Sequence, residues 1–237
     1  MNNNGIMLKI CGITSIIDRD MVIAGGADFF GSIIGVSDSL RSIGLAEAQI
    51  IFNTRDIEKV AVLVNPTRDF VHKVIDKLTP AAIQLHGKET PEFVSSLKET
   101  VKCSIWKAVH IPLEFKDRRD LIENVNSTFQ AFAGAGVSVL LLDTMVKTKN
   151  GDKTGGSGIS FDWHVIREIV VPQGVNLFIA GGINPDNVYR LLSSPSIKGL
   201  DVNSGVEQYP GKKDPVKLRK FFEAMKKRHN NQSAPKN

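Results

Sequence analysis

The sequence predicts a single-domain (β/α)8 barrel, and three observations predict it. Short apolar runs, β-branched or leucine-rich, recur eight times along 237 residues. A helix-compatible stretch follows each run, and the runs show little strict alternation, as parallel strands covered by helices do. No linker or composition break divides the chain, so one domain holds the whole pattern. A doubly wound open sheet shares the local pattern, but it ordinarily uses fewer strands and a glycine-rich first turn. The first turn here is Cys11-Gly12-Ile13-Thr14, without GxGxxG, and no Walker A sequence occurs.

The predicted strands are residues 7–12, 28–35, 59–64, 81–87, 104–111, 138–144, 176–182 and 199–204. Between them, Thr90-Pro91 supplies a cap and an N1 proline ahead of the stripe Phe93, Val94 and Leu97. Asn184-Pro185 repeats the device before Val188, Leu191 and Leu192. The last helix starts near Asp214 and carries Leu218, Phe221, Phe222 and Met225 on one face. The barrel is expected over residues 6–228, with polar, disordered ends at 1–5 and 229–237.

Composition narrows the function. With 42% hydrophobic and 23% charged residues, the chain is ordinary soluble material, and no apolar run reaches the roughly 18–20 residues of a membrane span. Two cysteines, Cys11 and Cys103, exclude a disulfide framework and a cysteine-rich zinc site. Together with an N-terminus lacking a signal-peptide pattern, they imply a cytoplasmic protein. The net charge of +5 is local: residues 211–237 hold nine Lys/Arg against two acids, and the preceding 210 residues are net −2. With no aromatic-rich nucleic-acid motif and 7% aromatics, that segment reads as a solvated helix and tail, so no nucleic-acid or membrane partner is expected.

In such a barrel, chemistry belongs at the C-terminal ends of the strands. Glycine stretches follow the last three strands: Gly155-Gly156-Ser157-Gly158, Gly181-Gly182 and Ser204-Gly205. Backbone N–H groups in such turns make an anion nest, in the usual phosphate corner of this fold, although glycines also simply close turns. Asp143 ends the run Leu140-Leu141-Leu142. There desolvation can raise its pKa and suit it to general-acid work, or it can cap the loop that follows. Cys11 ends the first strand, where it is either a small core residue or a reactive thiol. Strand parity turns Lys9 and Cys11 into the barrel, and Asp201 shares the inner face of the eighth strand. A Lys9–Asp201 pair below Cys11 is therefore expected, with the ammonium favouring a thiolate. Cys103, at the opposite rim, reads as structural. Arg41 offers a carboxylate-binding fork in the loop 37–42, and His86 and His110 lie near the ends of the fourth and fifth strands. No HExxH or paired His/carboxylate spacing occurs, so no metal site is expected.

These motifs, in this order, resemble phosphoribosylanthranilate isomerases. The resemblance rests on Lys9-Ile10-Cys11-Gly12-Ile13-Thr14, Val64-Asn65, Gln84-Leu85-His86-Gly87, Leu140-Leu141-Leu142-Asp143 and Gly155-Gly156-Ser157-Gly158. It continues through Phe161-Asp162-Trp163, Ala180-Gly181-Gly182-Ile183-Asn184-Pro185 and Asp201-Val202-Asn203-Ser204-Gly205-Val206-Glu207, and spans about residues 8–223. It implies a cofactor-free Amadori rearrangement of N-(5'-phosphoribosyl)anthranilate to 1-(o-carboxyphenylamino)-1-deoxyribulose 5-phosphate, an aldose–ketose isomerisation of tryptophan biosynthesis. By that resemblance Asp143 is the general acid and Cys11 the general base. Arg41 and His86 bind substrate, and Gly156, Ser157, Gly158, Gly181, Gly182, Ser204 and Gly205 take the phosphate of a small phosphoribosyl substrate. Two departures stand out: Ser39-Leu40-Arg41 replaces the family's frequent Ser-Pro-Arg, and Ser157 replaces its usual threonine. The lysine-rich stretch 145–154 is either a lid or a solvated loop. The alternatives are another phosphosugar isomerase of this fold and an inactive phosphate-ligand-binding barrel. The sequence leaves the oligomeric state open.

Overall fold

In a computed structural model, which describes residues 5–148, 151–154 and 162–226, eight parallel strands close into a ring. They are β1 (Met7–Ile10), β2 (Phe29–Ile34), β3 (Glu58–Leu63), β4 (Ala82–Leu85), β5 (Ser104–Pro112), β6 (Val139–Thr148), β7 (Asn176–Ile179) and β8 (Ile197–Val202). Each pairs with its neighbour in chain order, and β1 closes the barrel by pairing with both β8 and β2. Several strands stop short of the predicted runs. The last residues of those runs, Cys11, His86 and Gly181–Gly182, thus fall just beyond strand ends, on the rim.

Strand alternation divides the buried apolar residues into two cores. Leu8, Ile10, Leu140, Leu142, Leu177 and Ile179 face outward into a large layer shared with the helices. The opposite parity fills the barrel with a smaller set that includes Val60, Val62, Trp106, Ala108, Leu141 and Phe178. Trp106 and Phe178 meet at 4.9 Å between ring centroids, and Phe29 packs edge-on to Trp106 at 5.1 Å. This aromatic layer fills the barrel interior beneath the rim.

Among the described residues six α-helices pack outside: α1 (Ile16–Gly25), α2 (Leu45–Phe52), α3 (Arg68–Leu78), α4 (Pro91–Lys98), α5 (Arg118–Gly134) and α6 (Pro215–Lys226). Their starts follow local chemistry: Ser15, Thr67, Thr90 and Asp117 each accept a backbone N–H of the first turn. The predicted helix at Asn184-Pro185 is instead a three-residue 3-10 turn, Val188–Arg190. Asn187 Oδ1 accepts from Asn184 N and Asn187 Nδ2 donates to Gly182 O, so these side chains build a turn that competes with helix. The chain then meets Ser193-Ser194-Pro195, which prevents extension. Leu191 and Leu192 still reach the outer core. The segment after β6 is likewise 3-10, Trp163–Glu168.

The stretch 145–154 is not a loop throughout. β6 continues to Thr148 and pairs antiparallel with Gly151–Thr154. A second hairpin pairs Glu207–Tyr209 with Lys212–Lys213 across Pro210-Gly211, where Gly211 adopts φ 85°. Of the predicted disordered ends, residues 1–4 and 229–237 lie outside the described residues.

Candidate active site

The C-terminal rim encloses a cleft of about 450 Å³. Cys11, Arg41, His86, Asp143, Gly181 and Ser204 all line it, although they are scattered over the length of the chain. A larger groove, about 800 Å³, lies on the flank between the two 3-10 segments and holds none of these six.

On one wall, Cys11 follows β1 and donates its N–H to Val202 O at 2.8 Å. Beneath it Lys9, fully buried, places Nζ 2.9 Å from both carboxylate oxygens of Asp201, its register partner on β8. The expected pair is therefore present. Gly31 makes room for it: a Cβ there would lie 2.7 Å from Lys9 Cε and 3.2 Å from Cys11 Sγ. The expected thiolate is not favoured in the free protein. Burial pushes the Cys11 thiol up and Asp201 adds to that, so the cations Lys9 and Lys213 offset only part of the rise. For Lys9, burial pulls downward most strongly, but Asp201 and Cys11 together hold its ammonium above the ordinary lysine value.

Arg41 reaches the cleft from the loop after β2, and its fork is already engaged. Nη2 lies 2.7 Å and Nε 3.0 Å from the Glu207 carboxylate. Glu207 also accepts from fully buried Lys213 at 3.2 Å and from Gly211 N. Burial raises Glu207 most, yet Arg41, Lys213 and the Gly211 N–H together hold its carboxyl below the ordinary range. The three side chains form one network beside Cys11, two basic groups around one carboxylate, with burial pulling the Lys213 ammonium below the ordinary lysine value.

The other wall is built from β4, β5 and β6. Asp143 Oδ2 lies 3.2 Å from His86 Nε2, and its Oδ1 accepts from Thr144 N at 2.7 Å. His86 Nδ1 faces Gln84 Nε2 at 3.0 Å. His110, directly opposite Asp143 in register, sets its ring edge-on to His86 with centroids 5.0 Å apart. The expectation of a raised Asp143 pKa is overturned. Burial is the largest single influence and pushes it up, but His86, His110 and the Thr144 N–H jointly hold the carboxyl below its ordinary value. His110 is pushed down to about 4, by burial first and then by the neighbouring His86, so its imidazole is neutral near pH 7. Among the described residues, His110 Nε2 and Gln84 Oε1 find no hydrogen-bond partner. On the outer side of the same strands Glu89 and Lys107 pair at 2.9 Å, and Glu89 accepts from the N–H groups of Asn65 and Gly87, which fixes the turn carrying His86.

Gly181 (φ 84°) and Gly182 (φ 66°) take left-handed conformations that favour glycine, and with Ser204 they line the third side. Gly205 packs against Ile183 O, which brings the loops after β7 and β8 together. Gly156, Ser157 and Gly158 lie outside the described residues.

Sequence reading places His110 near a strand end and Gln84 within a strand without giving either a role, and it misses Lys213 and Glu207 as site groups. Inward strand parity marks the first two, since Gln84 and His86 share one face of β4 and Ala108 and His110 one face of β5. No local signal marks Lys213 or Glu207, which meet through a hairpin. The expectation of no metal site rests on spacing within single elements, which does not register residues that neighbouring strands bring together. His86, His110 and Asp143 offer ligand atoms within 4.8 Å of one another, contributed by three adjacent strands rather than by spacing within one element.

Residues 8–224 match the protein family described as N-(5'phosphoribosyl)anthranilate (PRA) isomerase. A relative from Geobacillus thermodenitrificans, named N-(5'-phosphoribosyl)anthranilate isomerase, is 33% identical over 227 residues, covering 93% of this chain and 94% of the relative. The phosphoribosyl anthranilate isomerase structure from Thermotoga maritima superposes with a TM-score of 0.74 at 30% identity, covering 94% of this chain and 99% of that one. A further isomerase structure, in complex with reduced 1-(o-carboxyphenylamino)-1-deoxyribulose 5-phosphate, gives 0.71 at 28% identity over 94% and 99%.

Proposed function

The chain belongs to the N-(5'-phosphoribosyl)anthranilate isomerase family of tryptophan biosynthesis, and we propose that Asp143 and Cys11 are its general acid and general base. The observation carrying this reading is that both groups, from strands on different sides of the ring, line one cleft that also holds the Gly181–Gly182 turn.

Asp143 protonates the furanose ring oxygen as the nitrogen lone pair opens the sugar to a protonated Schiff base. Cys11 then removes the C2' proton, giving an enolamine that tautomerises to the ketone. The reaction starts from protonated Asp143 and Cys11 thiolate, whereas the free protein favours the reverse. Both arrangements hold one proton between the two groups, so activation is a redistribution and costs no net charge. Substrate filling the cleft displaces its water and so favours the neutral Asp143 carboxyl against the groups that hold it ionised, while Lys9 and Lys213 favour the thiolate. Each turnover leaves Asp143 ionised and Cys11 protonated, the resting state again.

The Arg41 guanidinium, held in place by Glu207 within the network that includes Lys213, complements the anthranilate carboxylate. Backbone N–H groups at Gly181, Gly182, Ser204 and Gly205 take the phosphate, together with Gly156, Ser157 and Gly158. Two free cysteines support residence in the reducing cytoplasm.

Loss of phosphoribosylanthranilate fluorescence tests the roles. Cys11→Ser and Asp143→Asn should each lower kcat by at least about 100-fold, the low end of general acid–base contributions. Undiminished turnover in either variant rejects its role. A wild-type protein that binds the product analogue without turnover supports an inactive binder instead.

A further inference from the structure

The β4–β6 wall carries more coordinating capacity than acid–base chemistry needs. His86 Nε2 and Asp143 Oδ2 are 3.2 Å apart, and His110 brings its ring to the same point from the neighbouring strand. In a tetrahedral ion site with bonds of about 2.0–2.1 Å, ligand atoms sit roughly 3.3 Å apart. The His86–Asp143 edge is already of that length. The ligand atoms of the three groups all lie within 4.8 Å of one another, so a side-chain shift of at most about 1.5 Å closes the set.

The unpaired atoms point the same way. His110 Nε2 has no hydrogen-bond partner among the described residues although it is buried against the rim. Gln84 Oε1 is also unpaired, while its Nε2 faces His86 Nδ1. Turning that amide over exchanges its two ends, so that Oε1 accepts Nδ1–H. His86 Nε2 then carries a free lone pair directed at Asp143, held by a carbonyl behind it as metal-binding histidines are. One ion would thus give His110 Nε2 a partner, while the rotation only exchanges which end of the Gln84 amide is unpaired.

From this geometry we propose that His86, His110 and Asp143 form a binding site for a divalent transition-metal ion of the zinc class, and that an ion held there blocks catalysis. Two imidazoles with one carboxylate select zinc, cobalt or nickel over magnesium or calcium, which prefer oxygen. Three protein ligands leave a position for water, and the ion consumes the lone pairs of Asp143 and His86 that face the cleft. The blocking half of the proposal rests on Asp143 being the general acid, whereas the binding half does not.

The full-length chain, stripped by a chelator, is titrated with cobalt(II) chloride by visible absorption and with zinc chloride by calorimetry. One ion should bind, with affinity falling at least about tenfold in His86→Ala, His110→Ala and the bulkier His110→Gln, the low end for disturbing a ligand set. Circular dichroism confirms the fold of each variant. Equal affinity in wild type and the folded His110 variants overturns the site. A thiolate-to-cobalt charge-transfer band overturns it too, because the ion would then sit on Cys11 or Cys103. In the activity arm, zinc should inhibit the wild type reversibly, with rate restored by chelator, and should inhibit His110→Ala less, each relative to its own metal-free rate. Tight binding without inhibition upholds the site and counts against Asp143 as the acid.

Discussion

Replacing Asp201 by asparagine tests the barrel interior most directly. Lys9 is fully buried, and both of its carboxylate contacts, at 2.9 Å, are to Asp201. Removing that charge leaves an ammonium beneath the rim without its carboxylate partner. Breaking a buried pair costs about 3–5 kcal/mol. The asparagine carbonyl can still accept one bond, so about 3 kcal/mol is expected here. With an m-value of about 2 kcal/mol/M, the urea midpoint falls by about 1.5 M. The same change acts on Cys11. Burial raises its thiol, Asp201 raises it further and Lys9 opposes both. Without Asp201, Lys9 is free to take the thiolate as its counter-ion, so the thiol pKa falls. In a Cys103→Ser background, thiolate ultraviolet absorbance against pH reads that shift directly. A Lys9→Met/Asp201→Leu double variant should recover most of the stability, because an apolar pair of similar volume replaces a buried ion pair at little net cost. Its Cys11 thiol should titrate higher than in the single variant. An Asp201→Asn protein with an unchanged urea midpoint and an unchanged thiol titration would refute the reasoning.

Two further outcomes follow from the same geometry. Gly31→Ala places a methyl 2.7 Å from Lys9 Cε and 2.9 Å from its Nζ, and Asp201 keeps that side chain from swinging away. A destabilisation of about 1–3 kcal/mol is expected, with reduced kcat; a variant matching wild type in denaturant midpoint and turnover would show that the interior has slack. The Glu207 carboxyl is held below 4.5 in the folded protein. The unfolded chain therefore binds that proton more readily, so the stabilisation is complete above about pH 4.5 and disappears as pH falls through the lower folded value. Urea midpoints at pH 6 and pH 3.5 should differ more for wild type than for Glu207→Gln, and equal differences would remove Glu207 from the acid response.

Much of this protein is legible from residue order. Eight apolar runs, each followed by a helix-compatible stretch, imply a parallel barrel because both strand faces must be covered. Parity placed Lys9, Cys11 and Asp201 on the inner face, and the structure brings Lys9 and Asp201 together across 192 positions of sequence. Local pattern failed where side chains compete for the backbone. Val188, Leu191 and Leu192 recur at helical spacing, but Asn184 and Asn187 tie up the preceding turn and only three residues remain helical.

The sequence by itself determined the barrel, the rim positions of Cys11 and Asp143, and the membership of this chain in a family of phosphoribosyl isomerases. Only the tertiary structure decided their protonation, because a pKa depends on desolvation and on partners drawn from other strands. Asp143 is held ionised by His86, His110 and a backbone N–H, against the burial that its leucine-rich strand suggested. Cys11 stays a thiol beside Lys9, since the same burial that excludes water also penalises its charge. The His86–His110–Asp143 cluster has the same origin: three strands set side by side make one site that spacing along any single strand does not reveal.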